Sequence, residues 1–168
     1  MEHYSFPDTN IPQAYGPYSH AVVAGDFVFL AGQIARDPVT GHIIEGDITA
    51  QTTRCLEIIR DILKRLGLSL ADVVRTTVFL SDIGDFDAMN RVYAAAFQPP
   101  YPVRSTPQVK MPFGALIGME VTAYRGRHTK ADQETVVVEL PKNDVDGLDG
   151  CAAESDHLGS IEMAKKNR

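Results

Sequence analysis

Phe27-Val28-Phe29-Leu30-Ala31-Gly32-Gln33-Ile34 is rich in β-formers and apolar on both of the faces a strand presents. Successive side chains of a strand point to opposite sides of a sheet. A strand with one wet face would alternate apolar with polar residues, so this stretch is predicted to be covered on both sides. What covers it follows from the segments around it. A strand is expected just before it, from about Ala21. After it, Asp37-Pro38-Val39-Thr40-Gly41 is a turn signal, and a short strand is expected near residues 42–44.

Asp47 is placed to cap a helix running to about Leu66. Ile48, Thr52, Cys55, Leu56, Ile59, Ile62, Leu63 and Leu66 form one stripe at helical spacing, and Gly67 can end it in a left-handed conformation. Residues 74–81 alternate with β-branched residues and read as a strand. Asp85 is the expected cap of a second helix with the stripe Phe86, Met89, Val92, Tyr93, Ala96 and Phe97, stopped by Pro99 and Pro100. Two further strands follow, one carrying Arg104 and one carrying Glu120. Strands and helices in this order imply an α+β layer, a mixed β-sheet with two helices packed on one face. Two helices cannot cover both sides of the sheet. Other copies of the chain are therefore expected to cover the apolar residues that 27–34 present on the far side, making a homo-oligomer.

Arg104 stands in Pro102-Val103-Arg104-Ser105-Thr106 and Glu120 in Leu116-Ile117-Gly118-Met119-Glu120-Val121. The two read as strands joined by the turn-like Lys110-Met111-Pro112-Phe113-Gly114. A charge inside an apolar strand is costly unless paired or met by a ligand. Alternation sends Ile117, Met119, Val121 and Ala123 one way and Glu120 and Thr122 the other. Arg104 and Glu120 are both expected on the face away from the helices, as a site that grips an anion beside a carboxylate able to handle a proton. On spacing alone, an inter-subunit salt bridge is the competing reading.

The bulk properties narrow the function classes. The 168 residues are 44% hydrophobic, enough for a core of ordinary size. No apolar run approaches the roughly 20 residues of a membrane helix, and Met1-Glu2-His3-Tyr4-Ser5 lacks the features of a secretory signal. Cytoplasmic placement is expected, with Cys55 and Cys151 as free thiols. The formal net charge of -6 lacks the basic footprint of a nucleic-acid binder. The five histidines have no metal-ligand spacing, and no metal is expected. The domain is read as residues 1–126. Residues 127–168 are read as an acidic, polar C-terminal extension with weak structure, in which residues 136–140 offer a short strand.

Gly16-Pro17-Tyr18-Ser19, Ala31-Gly32-Gln33-Ile34, Thr76-Thr77-Val78-Phe79-Leu80, Asn90 with Tyr93, Pro102-Val103-Arg104-Ser105 and Met119-Glu120-Val121 stand in one order and spacing. In these motifs, from about Ile11 to Arg125, the chain resembles the RidA/YjgF/YER057c/UK114 family. The resemblance implies a chorismate-mutase-like α+β fold and a homotrimer with a ligand site at each subunit interface. It implies a reactive enamine/imine deaminase that hydrolyses 2-aminoacrylate and related imino acids to 2-oxo acids and ammonia, with no metal or organic cofactor.

The residues carried over are Arg104 and Glu120 as catalytic groups, and Tyr18, Gly32, Arg104 and Thr106 as substrate-binding groups. An arginine fork matches a carboxylate with two parallel hydrogen bonds. Glu120 would position a water and take its proton. Gly32 lets the backbone approach the ligand, Tyr18 closes over it, and the main chain at Thr106 helps hold the water. Asn90 is read as a residue that holds backbone, outside the site. Ala31, Thr106 and Pro107 depart from the family's usual residues, which bears on substrate choice. Two alternatives stand beside this reading: a 2-aminomuconate-type deaminase of aromatic catabolism, and a non-catalytic small-acid-binding or interaction protein.

Overall fold

The core begins with alternation on the last long strand. Ile117, Met119, Val121 and Ala123 are all buried, while Glu120 between them is exposed. The computed structural model describes residues 1–6, 10–126, 135–137 and 162–164. The chain divides into two units, Met1–Gly126 and Arg127–Arg168. The first contains β1 (Glu2–Tyr4), β2 (Ala21–Ala24), β3 (Phe27–Ile34), α1 (Ile48–Arg65), β4 (Val73–Leu80), α2 (Phe86–Ala96), β5 (Val103–Ser105) and β6 (Ile117–Tyr124). The six strands form one mixed sheet in the order β1-β2-β3-β6-β4-β5. Neighbours run antiparallel except β4 and β5, which are parallel.

α1 starts where the backbone N–H of Ala50 donates to Asp47 Oδ1 at 2.9 Å, the capping geometry the sequence predicts. It ends as predicted at Gly67, whose φ is +73°. The N–H of Leu66 and that of Leu68 both return to the carbonyl of Leu63 there. α1 packs on β3, β6 and α2. Its buried stripe meets Val28 and Leu30 of β3, Val78 and Leu80 of β4, the four core residues of β6, and Met89, Tyr93 and Phe97. Cys55 lies in this core, and burial pushes its thiol up to about 12.

Two local expectations are corrected, and one strand was not anticipated. Asp85 makes no side-chain cap for α2, because its own backbone is already helical; a capping residue is normally extended. Asp82 instead accepts from Gly84 N at 2.8 Å and caps the single 3-10 turn that feeds into α2. The strand expected near residues 42–44 is only an isolated bridge between Arg36 and Ile43. β1 was not foreseen; three residues are too few to show a period.

Among the described residues, the doubly apolar strand is covered on one side only. Val28 and Leu30 lie under the helices, while Phe27 and Phe29 on the other face remain 45% and 46% exposed. Phe27 packs against Tyr124 of β6 with ring centroids 5.2 Å apart.

Thr76 of β4, fully buried, shares a hydrogen bond of 2.9 Å with the Tyr93 hydroxyl on α2. Tyr93→Phe leaves the buried Thr76 hydroxyl without its partner and is expected to lower the unfolding free energy by about 1–2 kcal/mol. Urea denaturation with an unchanged slope checks this; an unchanged midpoint would show that the bond contributes nothing.

In the second unit, β7 (Thr135–Val137) pairs antiparallel with β8 (Glu162–Ala164). The strand anticipated at residues 136–140 therefore joins a separate ribbon, and its residues 138–140 lie outside the described residues. So do Cys151 and the remainder of the extension. Among the described residues, no helix is long and apolar enough to cross a membrane.

Candidate functional site

Arg104 is the middle residue of β5, at the sheet edge, in register with Thr76 of β4. Thr76 turns toward α2, and so does Arg104. Its Nη1 donates to Asn90 Oδ1 at 2.8 Å. Its guanidinium lies 4.6 Å from the Tyr93 ring centroid and 5.4 Å from that of Phe86, within cation–π range. Phe86, Asn90 and Tyr93 stand four and then three residues apart on α2, so they share one face and form a cradle for the guanidinium. Burial pushes the Tyr93 phenol up, opposed by its bond to Thr76 and by the charge of Arg104.

This overturns the expectation that Arg104 faces away from the helices. β5 and β6 follow one another in the chain as read, but they are not neighbours in the sheet, since β4 lies between them. The connection re-enters β4 rather than turning back on β5. Leu80 N donates to the carbonyl of Pro107 at 3.1 Å and Val109 N to the carbonyl of Leu80 at 2.8 Å. β5 itself stops at Ser105, just before half-buried Thr106 and a proline that has no N–H to give the ladder. Asn90, which the sequence reading set aside as a backbone contact, holds the key side chain instead. Its spacing from Phe86 and Tyr93 was a usable signal.

Glu120 occupies the opposite face of the sheet. It is exposed and in register with Thr77 of β4. On its other side the ladder runs Leu30 to Val121 and Gln33 to Met119, so Ala31 and Gly32 together oppose Glu120 as a β-bulge. A Cβ on Gly32 would meet nothing within 4 Å, so the space beside the bulge is open. Glu120 and Arg104 of one chain therefore form no ion pair.

The bulge floors a cleft of about 390 Å³, walled by the loop from Pro12 to Tyr18 and by the Pro112-Phe113 turn. Tyr18 is 46% exposed at its mouth, and its hydroxyl accepts from Tyr15 N at 3.2 Å. Two buried side chains fix the loop. Arg36 donates from Nη1 to Gln13 O at 2.9 Å and from Nε to Gly41 O at 2.8 Å. His20 accepts from Phe6 N at Nδ1, 3.1 Å, so the proton on its Nε2 serves Pro12 O at 3.0 Å.

The five predicted site residues thus fall into two groups. Tyr18 and Gly32 line the cleft, and Glu120 stands on the neighbouring strand beside the bulge without lining it; Arg104 and Thr106 lie at β5. β3 and β5 are three strand spacings apart, about 14 Å, too far for one small acid to bridge within a chain. Sequence reasoning missed Tyr15, Arg36 and Phe113, which have no periodic or motif signal. Among the described residues no three His, Cys, Asp or Glu side chains converge to hold a metal ion.

The sequence model of the Endoribonuclease L-PSP family matches residues 8–125. A RutC family protein of Pyrococcus horikoshii is 48% identical over 117 residues, covering 69% of this chain and 93% of that protein. A human protein named 2-iminobutanoate/2-iminopropanoate deaminase is 37% identical over 121 residues, covering 71% of this chain and 88% of its own. Among solved structures, Escherichia coli TdcF with bound serine superposes with a TM-score of 0.69 at 35% identity, covering 75% of this chain and all of its own.

Proposed function

This chain belongs to the Endoribonuclease L-PSP family, the family of RidA and YjgF, and from that premise we propose that it is a hydrolytic deaminase of reactive enamine/imine intermediates. It converts 2-aminoacrylate-like 2-imino acids to 2-oxo acids and ammonia. The human relative's name supports the activity, and the serine in TdcF supports a small amino-acid-like ligand in this fold.

The observation that carries the reading is the state of Arg104. Its guanidinium is held by a neutral amide oxygen and two ring faces, and no carboxylate among the described residues neutralises it. A fixed, half-buried, uncompensated cation is a seat for an anion. The substrate carboxylate takes two parallel N–H bonds there, which fixes the adjacent imine carbon for attack. Glu120 takes a proton from water as the oxygen–carbon bond forms. It passes that proton to the imine nitrogen, giving a carbinolamine, then takes the proton of the new hydroxyl and gives it to the amine as the carbon–nitrogen bond breaks, so that the 2-oxo group forms and ammonia leaves.

We place the site at the boundary of a homotrimer, with the β5 edge of one subunit facing the cleft of the next. Two features support this: the distance between Arg104 and Gly32 within one chain, and the exposed aromatic pair Phe27 and Phe29 on the sheet face away from the helices. The test generates imines in situ from a panel of amino acids with an oxidase and follows release of the 2-oxo acid above the uncatalysed rate. No acceleration with any imine would overturn the deaminase. Turnover by a single-chain species in light scattering would overturn the shared site.

Asn90→Ala removes the acceptor that aims Arg104. It is expected to lower kcat/KM roughly 10–150-fold, the worth of one charge-assisted hydrogen bond. Asn90→Asp should not restore the rate, because a carboxylate there neutralises the anion seat. Full activity in Asn90→Ala would show that Arg104 needs no such partner.

A further inference from the structure

Phe113 carries a feature that packing alone does not require. Its φ is +56°, in the left-handed region that glycine occupies freely and a bulky side chain does not. The strain keeps its ring at the cleft mouth, where it is 60% exposed. The ring meets Tyr15, itself 67% exposed, with centroids 4.8 Å apart and planes tilted by 57°. The Tyr15 ring is in turn fixed by the Arg36 guanidinium, 5.0 Å from its centroid. Arg36 is 91% buried and anchored to two loop carbonyls, so this support does not swing. Tyr15 N also donates to the Tyr18 hydroxyl, which ties this wall to the residue expected to close over the substrate.

The result is a rigid aromatic wall, open to solvent, over the floor that contains Gly32. Strained backbone that holds an apolar ring in water marks a functional position. The cleft of about 390 Å³ lies within the range of small-molecule sites, and a three-carbon imino acid leaves most of it to water. We propose that Tyr15 and Phe113 are specificity-determining residues, and that the preferred substrates are 2-imino acids with an aromatic side chain, which stacks on this wall. The inference rests on the deaminase reading for its chemistry. It adds the side-chain class, which the family does not give.

The experiment compares the imine of phenylalanine with that of alanine, each made in situ by an oxidase, for the full chain, Phe113→Gly and Tyr15→Ala. The unaltered protein is expected to favour the phenylalanine-derived imine by at least about tenfold in kcat/KM. Phe113→Gly relieves the left-handed strain, so Tm should hold or rise. It is expected to cut turnover of the aromatic imine about tenfold more than that of the alanine imine. Equal rates in the unaltered protein, or a preference unchanged in both variants, overturns the proposal. Calorimetry with phenylpyruvate and pyruvate reads the same preference without turnover. Tighter phenylpyruvate binding that is lost in Phe113→Gly supports the wall even if no imine is hydrolysed, in which case the deaminase reading alone fails. Equal affinities, or no binding of either acid, overturns the wall.

Discussion

Arg104→Ala is expected to lower kcat/KM for 2-imino acids about 10²–10³-fold, the loss of two charge-assisted hydrogen bonds to the substrate carboxylate. KM should rise as well as kcat fall, because the same bonds hold the ground state and orient the imine carbon. The fold should stand. Arg104 sits on an edge strand over the rim of α2, and removing it opens no cavity in the core, so Tm should move by only a few degrees. Arg104→Lys is the sharper variant. Lysine keeps the charge but not the planar fork, and it cannot both hold Asn90 and present two parallel donors. It should recover little of the lost rate. Steady-state kinetics on oxidase-generated imines checks both variants, and turnover within a few-fold of the unaltered protein in Arg104→Ala would remove the arginine from the mechanism.

Glu120→Gln is expected to cut kcat about 10²–10⁴-fold while leaving KM near its starting value, the pattern of a lost proton-transfer group. The substitution keeps the size of the side chain and replaces one accepting carboxylate oxygen with an NH2 that only donates, so no basic oxygen remains. Glu120 is exposed on the sheet face opposite the helices, so stability should not change. Binding of a 2-oxo acid, measured by calorimetry, should survive in Glu120→Gln and weaken in Arg104→Ala. If both variants lose binding equally, the division between a carboxylate grip and a water-activating base is wrong. If Glu120→Gln keeps full kcat, another group activates the water.

The two groups proposed for the chemistry thus stand on opposite faces of one sheet. Arg104 is poised on the helix side by Asn90, Tyr93 and Phe86, whereas Glu120 stands on the open side beside the Ala31–Gly32 bulge. That division explains why a single chain holds both chemical groups without neutralising either. An internal Arg104–Glu120 pair would have cancelled the charge that an anionic substrate needs, at a desolvation cost that such pairs rarely recover.

The local periods of the sequence determined much of this. The helical stripe of α1, its Asp47 cap and its Gly67 stop all follow from residue spacing, and so does the face of every side chain on β6. The doubly apolar run at 27–34 marked a strand whose second face, at Phe27 and Phe29, stays exposed among the described residues. Residue types alone singled out Arg104 and Glu120 as charges set among apolar neighbours. Only the tertiary structure decided which way Arg104 faces, because alternation fixes sides within a strand but not between strands. β5 pairs parallel with β4, and the chain then wanders through an irregular connection before β6. A shift of one residue in that register would turn Arg104 to the other face at no local cost. The Asn90 contact, the bulge beside Glu120 and the Tyr15–Phe113 wall depend on the same long-range register, and no period in the chain encodes it.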